Sequence, residues 1–433
     1  METNLSKYLR KTIEYLTYAF VFILPWQTKL IIKGGETNYS EISLYLSHGL
    51  LLIILSIFIW FRLREKNWTV FNPPLFYSLA SLSTFLLISV FFAPDKALAF
   101  YHYFVFLVAL SLFFVVRAGT EQRNYEEIVV DKVKLVYVFL GSIFLQALLG
   151  IYQFLSQGSF SFKYLGLAAH DPIVPGTSVV ETFDGRWLRA YGGFDHPNIL
   201  GGVLAISLIL AAYLLARKKI LNNAKQTWSS VFLFVFYFIA LYALFFTFSR
   251  AAWAALLVGL LTLLIVLMRR FDKWVVGRFI ALIFFSAVLL TIIAIPFKEL
   301  VTARVEVETR LEQKSIRDRY EYMSEAGGLL KHNFLGGVGI GNYHTAVSLS
   351  DDYKKSAWEY QPVHNVFILL CAQSGIFALL SFVIFGVFLI KYGRREKFAF
   401  AIVASLFVLM MLDHWLLSLP FGVLFLFLAL ALI

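Results

Sequence analysis

Three basic side chains are expected at one membrane face, and their types suit one kind of chemistry. Phe248-Ser249-Arg250 interrupts an apolar stretch, 228–268, that is too long for one crossing of a bilayer about 30 Å thick. A tight outward hairpin at Ser249 is expected. Ser249 can cap the next helix by accepting a bond from a free backbone N–H, which puts Arg250 in the first turn. Free backbone donors, the helix dipole and a guanidinium fork all favour an anion there, and phosphate fits that geometry best. The competing reading is an arginine that snorkels to lipid headgroups.

Arg319 is the second. In SIRDRYEYMSEAGGLLKHN, Ser315 and Asp318 have capping-box spacing, so a helix is expected from near Ile316 to about Lys331. Arg317 has Glu321 four residues ahead and makes an ordinary solvated pair. Arg319 has only Ser315, Ile316, Tyr322 and Met323 at those spacings. It heads a stripe of Met323, Ala326 and Leu330, the face expected to dock on the membrane body. Such an arginine needs an acceptor from elsewhere, either a protein carbonyl or acid, or a ligand phosphate.

His364 is the third. Pro362 is tolerated at a helix start, and a long apolar run follows Asn365, so His364 lies at the outer end of a span. A lone interfacial histidine is usually structural. Beside two arginines, however, its protonation is disfavoured, which keeps it able to accept a proton near neutral pH. Two cationic clamps and one base at one membrane face suit transfer of a group from a pyrophosphate leaving group to a hydroxyl.

The elements that must position these residues are membrane helices. Of 433 residues, 60% are hydrophobic and only 15% charged, a composition that marks an integral membrane protein. Apolar runs recur at roughly 13–32, 42–61, 74–93, 97–116, 133–156, 197–216, 228–248, 250–268, 277–297, 364–390, 398–416 and 418–433. The expected fold class is therefore an all-α polytopic membrane protein of about twelve transmembrane helices, with a large helical periplasmic loop between spans nine and ten. The expected units are an N-terminal bundle (1–156), an outer loop (157–196), central helices (197–297), a large outer loop (298–363) and C-terminal helices (364–433). The first segment has no small-residue cleavage site behind it and reads as an anchored span.

Lys and Arg fall in alternate connections: Lys7, Arg10 and Lys11; Arg62, Arg64 and Lys66; Arg117, Arg123 and Lys132; Arg217, Lys218, Lys219 and Lys225; Arg269, Arg270, Lys273 and Arg278; Lys391, Arg394, Arg395 and Lys397. By the positive-inside rule both termini are cytoplasmic, and the net charge of +11 needs no nucleic-acid partner. Cys371, the single cysteine, allows no intrachain disulfide or Cys-based zinc site.

The chain resembles the O-antigen ligase family, which shares a core with O-antigen polymerases and, more distantly, with peptidoglycan glycosyltransferases. The resemblance is carried over roughly 185–390 by RAYGGFDHPN (189–198), TFSRAAW (247–253), RYEYMSEAGGLLKHNFLGGVGIGNY (319–343) and PVHN (362–365). It implies that Arg250 and Arg319 hold the diphosphate of an undecaprenyl-pyrophosphate-linked glycan and that His364 activates the acceptor hydroxyl. It also implies a metal-independent, inverting transfer without cofactor, at the periplasmic face of a bacterial inner membrane. The acceptor that the resemblance implies is lipid A core or another glycan or lipid. Tyr322 stands where the family often has Trp. A repeat-unit polymerase is the close alternative, and a polysaccharide or lipid transporter the reading from another class. The transporter is disfavoured by the lack of intramembrane acidic pairs and of duplicated broken helices.

Further polar groups complete the candidates. Arg186, Arg189 and Lys163 add positive charge to loop 157–196. Arg186 and Arg189, with Asn365 beside His364 and Tyr343 at the end of the third motif, are expected substrate contacts. Their alternative is a solvated face. His170-Asp171 and Asp195-His196 have types that could ligate a metal, against plain loop hydrogen bonding. The first outer loop, KLIIKGGETNYSE, has isolated Glu36 and Glu41 and none of the paired acids of metal-dependent lipid-linked transferases, so no metal is expected. GGVGIGN (336–342) follows no βαβ pattern and reads as a turn. His48, His102 and His414 lie in or near spans and read as polar glue between helices.

Overall fold

The computed structural model describes residues 4–35, 39–65, 73–120, 129–217, 224–306, 309–350, 359–393 and 397–433. Glu36, Lys66, Arg123, Lys218, Lys219, Arg394, Arg395 and the Lys225 side chain lie outside the described set.

Helix α1 (Asn4–Ile23) stops early because Pro25 cannot continue it. The rest of the expected first span instead enters an antiparallel hairpin, β1 (Lys29–Lys33) with β2 (Ile42–Tyr45). The helices α2 (Leu46–Glu65), α3 (Pro73–Val90), α4 (Lys96–Thr120) and α5 (Lys132–Ser156) follow. A second hairpin pairs β3 (Val179–Thr182) with β4 (Gly185–Leu188). Beyond it come α6 (Pro197–Arg217), α7 (Ala224–Phe246), α8 (Arg250–Arg270) and α9 (Lys273–Ala294). Three helices then lie outside the bundle: α10 (Lys298–Glu306), α11 (Arg310–Asn333) and α12 (Tyr343–Ser348). The chain ends with α13 (Val366–Gly393), α14 (Ala399–Leu412), α15 (Trp415–Ser418) and α16 (Pro420–Ala431).

Among the described residues nine helices are long and apolar enough to span a membrane: α2 to α9 and α13. The fold is all-α and polytopic, as expected, but three of the twelve expected spans are altered. The helix of the first, α1, carries Lys7, Arg10, Lys11 and Glu14. At the other end, Asp413 adopts extended backbone and stops α14, while Pro420 starts α16. At 1.5 Å per residue these two helices reach only about 21 and 18 Å, well short of a bilayer core of about 30 Å. The last residue of the chain, Ile433, packs at Gly393, the far end of α13. The Asp413–Leu419 connection is therefore sunk into the bundle, below the ends of the longer helices.

Helix α6 is buried on nearly every side and forms the axis on which α7, α8 and α9 pack. The α7–α8 hairpin closes as the sequence predicts. Ser249 is the N-cap of α8 and accepts a bond from the Ala252 N–H at 3.4 Å. The tightness of this turn shows at Phe248, a buried non-glycine residue with φ +46°.

Helix α11 begins at Arg310 after Thr309, six residues before the expected start, and no side-chain cap marks that boundary. Its docked face carries Tyr322 and Ala326, packed with Tyr343, Val347, Tyr360, Val363, Leu369 and Ala372, whereas Met323 is exposed. The Arg317–Glu321 pair forms as expected, 3.9 Å apart and open to solvent.

The glycine-rich turn does more than reverse the chain. Helix α13 is broken at Gly375 (φ +78°), where a Cβ would meet the Leu335 carbonyl oxygen at 1.9 Å. Into that break fit the Val338 and Gly339 N–H groups, which donate to the Ala372 and Gln373 carbonyls at 2.9 and 2.8 Å. Ile376 N–H donates in turn to the Phe334 carbonyl at 3.0 Å. The large outer loop is thereby fixed to the helix that His364 precedes.

Candidate active site

At one end of the bundle a cavity of about 500 Å³ opens between the 177–198 segment, the start of α8, α10, α11 and His364. Arg250, Arg319 and His364 all line it, although the first and the last are 114 positions apart in sequence. Arg189, Arg304 and Lys314 line it as well, so its walls are strongly cationic.

The Ser249 cap holds Arg250 in the first turn of α8, as the sequence suggests. Its Nη2 lies 3.0 Å from Glu312 Oε2, and its Nη1 donates to the Arg304 carbonyl at 3.2 Å. Arg304 is paired with the other oxygen of Glu312 and donates from Nε and Nη2 to the Phe248 carbonyl at 3.2 and 2.8 Å. One buried carboxylate thus bridges two guanidinium groups. Burial lowers the Arg304 pKa, and Glu312 opposes that shift.

Arg189 lines the same cavity but is almost wholly buried. It donates from Nε to the Thr247 carbonyl at 2.7 Å and from Nη2 to Asn198 Oδ1 at 2.8 Å. Burial, with Arg304 nearby, draws its pKa down to about 9, which leaves it charged at neutral pH. Arg319 differs. Its Nε is buried and has no hydrogen-bond partner among the described residues, so an acceptor is still owed there.

The His364 ring lies parallel to Tyr322, with centroids 5.8 Å apart, and perpendicular to His414 at 4.8 Å. Its Nδ1 is buried without a partner. Its pKa is lowered, first by burial and further by Arg319, while Asp413 opposes the shift. The imidazole is therefore neutral near pH 7. Burial, rather than the flanking arginines, is the main reason.

Arg186, Asn365 and Tyr343, expected as substrate contacts, have their contacts within the fold. Arg186 Nη1 donates to the Ile173 carbonyl at 3.1 Å, away from the cavity. Asn365 caps α13, its Oδ1 accepting from the Phe367 and Ile368 N–H groups at 3.0 Å each. The Tyr343 hydroxyl is buried and donates to the Tyr322 carbonyl at 3.2 Å. Tyr343 and Asn365 thus support the elements that carry Arg319 and His364, while Arg186 holds the 157–196 loop.

His414 is not glue between helices. The sunken connection sets it and Asp413 in a second cavity of about 430 Å³, which shares Ser178, His196, Asn198, Gln361 and His364 with the first. Asp413 Oδ2 accepts from Asn198 Nδ2 at 3.0 Å, and Oδ1 from the His414 N–H at 2.8 Å. His196 Nδ1 accepts from the Asn198 N–H at 3.1 Å, so its Nε2 carries the proton shared with Ser178 Oγ at 2.8 Å. Burial, then the Arg189 charge, draws His196 down to about 3.

His170-Asp171 and Asp195-His196 do not meet as a metal-ligand set. His170 stacks on Tyr191 and Asp171 caps a local turn. Among the described residues the group nearest to such a set is His364, Asp413 and His414, whose ligand atoms lie within 4.8 Å of one another. Both oxygens of Asp413 already accept hydrogen bonds.

Residues 235–383 match the family model described as O-antigen ligase, and Arg250, Arg319 and His364 all fall within that match. That match supports membership of the O-antigen ligase family. No curated protein matches the chain. The matched family implies an enzyme of glycosyltransferase type with glycan and lipid-linked substrates, and the nine apolar helices suit a multi-pass membrane protein. Arg189, Asn198 and the Asp413–His414 pair lie outside the matched segment and complete the walls of the two cavities.

Proposed function

We propose that the protein is a ligase that moves a finished glycan from undecaprenyl pyrophosphate to a hydroxyl of lipid A core. The observation that carries this reading is the meeting of Arg250, Arg319 and His364 in one cationic cavity beside a neutral, partly unpartnered imidazole. Arg250 and Arg319 hold the diphosphate and stabilise the charge that develops as it leaves. The acceptor oxygen attacks the anomeric carbon, the bond from that carbon to the diphosphate oxygen breaks with its electron pair going to that oxygen, and His364 takes the acceptor proton. Arginines supply the charge that a divalent ion supplies in other transferases.

The membrane setting supports a periplasmic site in a bacterial inner membrane. Arg62, Arg64, Arg117, Arg217, Arg269 and Arg270 lie at helix ends remote from the cavity, where the positive-inside rule puts the cytoplasm. A lipid-facing groove of about 870 Å³ along α7 and α9, lined by Phe234, Phe238, Phe285 and Leu289, offers apolar surface for a polyprenyl tail.

The test is incubation of purified protein with lipid-linked glycan and lipid A core, with products resolved by mass. The reading expects core carrying the glycan, formed in EDTA as in its absence. Longer glycan still on the lipid carrier would instead identify a polymerase. Transfer lost in EDTA and restored by a divalent ion would overturn the metal-free step.

A further inference from the structure

The two cavities differ in charge in a way that the proposed transfer does not by itself require. Among the described residues the first is lined by Arg189, Arg250, Arg304, Lys314 and Arg319 against Glu312 and Asp318. The second is lined by Asp195 and Asp413, with no lysine or arginine. His364 belongs to both walls. A molecule in the second cavity therefore reaches the same imidazole as the diphosphate, from the side away from the cations.

The second cavity also holds polar groups that lack partners. Asp195 is exposed to solvent and accepts no hydrogen bond among the described residues. The Trp415 indole Nε1 is buried without an acceptor among the described residues, in a residue only 2% exposed. The Tyr39 ring stands edge-on to His414 at 5.7 Å, and its hydroxyl has no partner among the described residues. An ionised carboxylate accepts from hydroxyls, an indole N–H donates to a hydroxyl or ring oxygen, and aromatic faces cover C–H surface. These are the groups that an uncharged sugar needs. A phosphate or carboxylate substituent would meet Asp195 and Asp413 as like charges, which disfavours it there.

We propose that the cavity of Tyr39, Asp195, Asp413 and Trp415 is the acceptor subsite and takes an uncharged sugar residue whose hydroxyls donate to the Asp195 carboxylate. This rests on the transferase reading above and adds to it where the acceptor lies and which chemistry is selected. The nucleophilic hydroxyl enters from the carboxylate side, the diphosphate lies on the arginine side, and His364 stands between them.

The test is steady-state transfer by the full-length protein in nanodiscs, with methyl glucoside as neutral inhibitor and inorganic pyrophosphate as anionic inhibitor. The subsite predicts that methyl glucoside competes with the acceptor and pyrophosphate with the donor. Asp195→Asn, which breaks no hydrogen bond or ion pair among the described residues, should raise the acceptor KM about tenfold, the loss of one hydrogen bond to a charged group. Donor KM and melting temperature should stay as in the wild type. Tyr39→Phe should shift the same constant in the same direction. An unchanged acceptor KM in Asp195→Asn, or methyl glucoside competing with the donor, overturns the subsite while transfer by the wild type still stands. Absence of any transfer by the wild type would instead overturn the reading on which the subsite rests.

Discussion

Arg250 Nη2 lies 3.0 Å from Glu312 Oε2, so the cation best placed to meet a diphosphate is paired with a buried carboxylate. Glu312 is 4% exposed and also holds Arg304, and removing one partner of a buried pair leaves charge uncompensated. Glu312→Gln should therefore lower the melting temperature of the ligand-free protein, by an amount equivalent to about 3 kcal/mol. Added pyrophosphate supplies the missing negative charge and should raise the melting temperature more in this variant than in the wild type. An equal or smaller pyrophosphate response would show that the anion binds elsewhere.

Arg319 and His364 should be dispensable for folding and required for turnover. Arg319→Ala removes a guanidinium whose Nε has no hydrogen-bond partner among the described residues, and His364→Ala an imidazole whose Nδ1 likewise has none there. Loss of a charge-stabilising donor or of a general base costs about 10² to 10⁴ in rate. Transfer assays should show losses in that range, with membrane insertion and melting temperature unchanged. Normal transfer by either variant removes that residue from the site.

The pH profile follows from the lowered His364 pKa. A base must be unprotonated, so kcat/KM should fall only when pH drops through a value below the usual imidazole pKa of about 6.5. Asp413 favours the imidazolium and so raises that value. Asp413→Asn should move the acid limb to still lower pH, together with a slower maximal rate. A shift to higher pH would contradict the assignment.

The break in α13 gives a structural prediction with an internal control. At Gly375 an added Cβ would meet the Leu335 carbonyl oxygen at 1.9 Å and must also adopt φ +78°, whereas at Gly386 nothing lies within 4 Å. Gly375→Ala should destabilise by at least about 1–3 kcal/mol, the range for such backbone strain alone, and lower transfer by displacing the outer loop. Gly386→Ala should match the wild type in thermal unfolding. Equal melting temperatures would show that the loop is not held by the break.

The parts of the site governed by local chemistry were readable in the sequence. Ser249 before Arg250 is a capping residue ahead of an apolar run, and the structure has that cap. Arg319 lacks any acid at helical spacing, and it stays without a hydrogen bond to Nε. What escaped depends on distant chain segments. Glu312 and Arg304 matter because α10 and α11 close over the start of α8, and no local pattern encodes that approach. The start of α11 was misplaced because Thr309 makes no side-chain cap and Ser315 and Asp318 imitate one. Asp413 and His414 were read through because a window of about 19 residues averages two charged or polar groups into the apolar residues around them. The sequence signal is Asp413-His414 itself, since an ionisable pair inside an apolar segment marks a functional position by default.

The most direct measurement of the central claim is the structure of the protein with undecaprenyl pyrophosphate bound, at a resolution that places the phosphates. The account predicts diphosphate density in the cavity lined by Arg250 and Arg319, on the arginine side of His364, with Glu312 drawn off Arg250. Diphosphate density outside that cavity, with both guanidinium groups left as they stand, would contradict it.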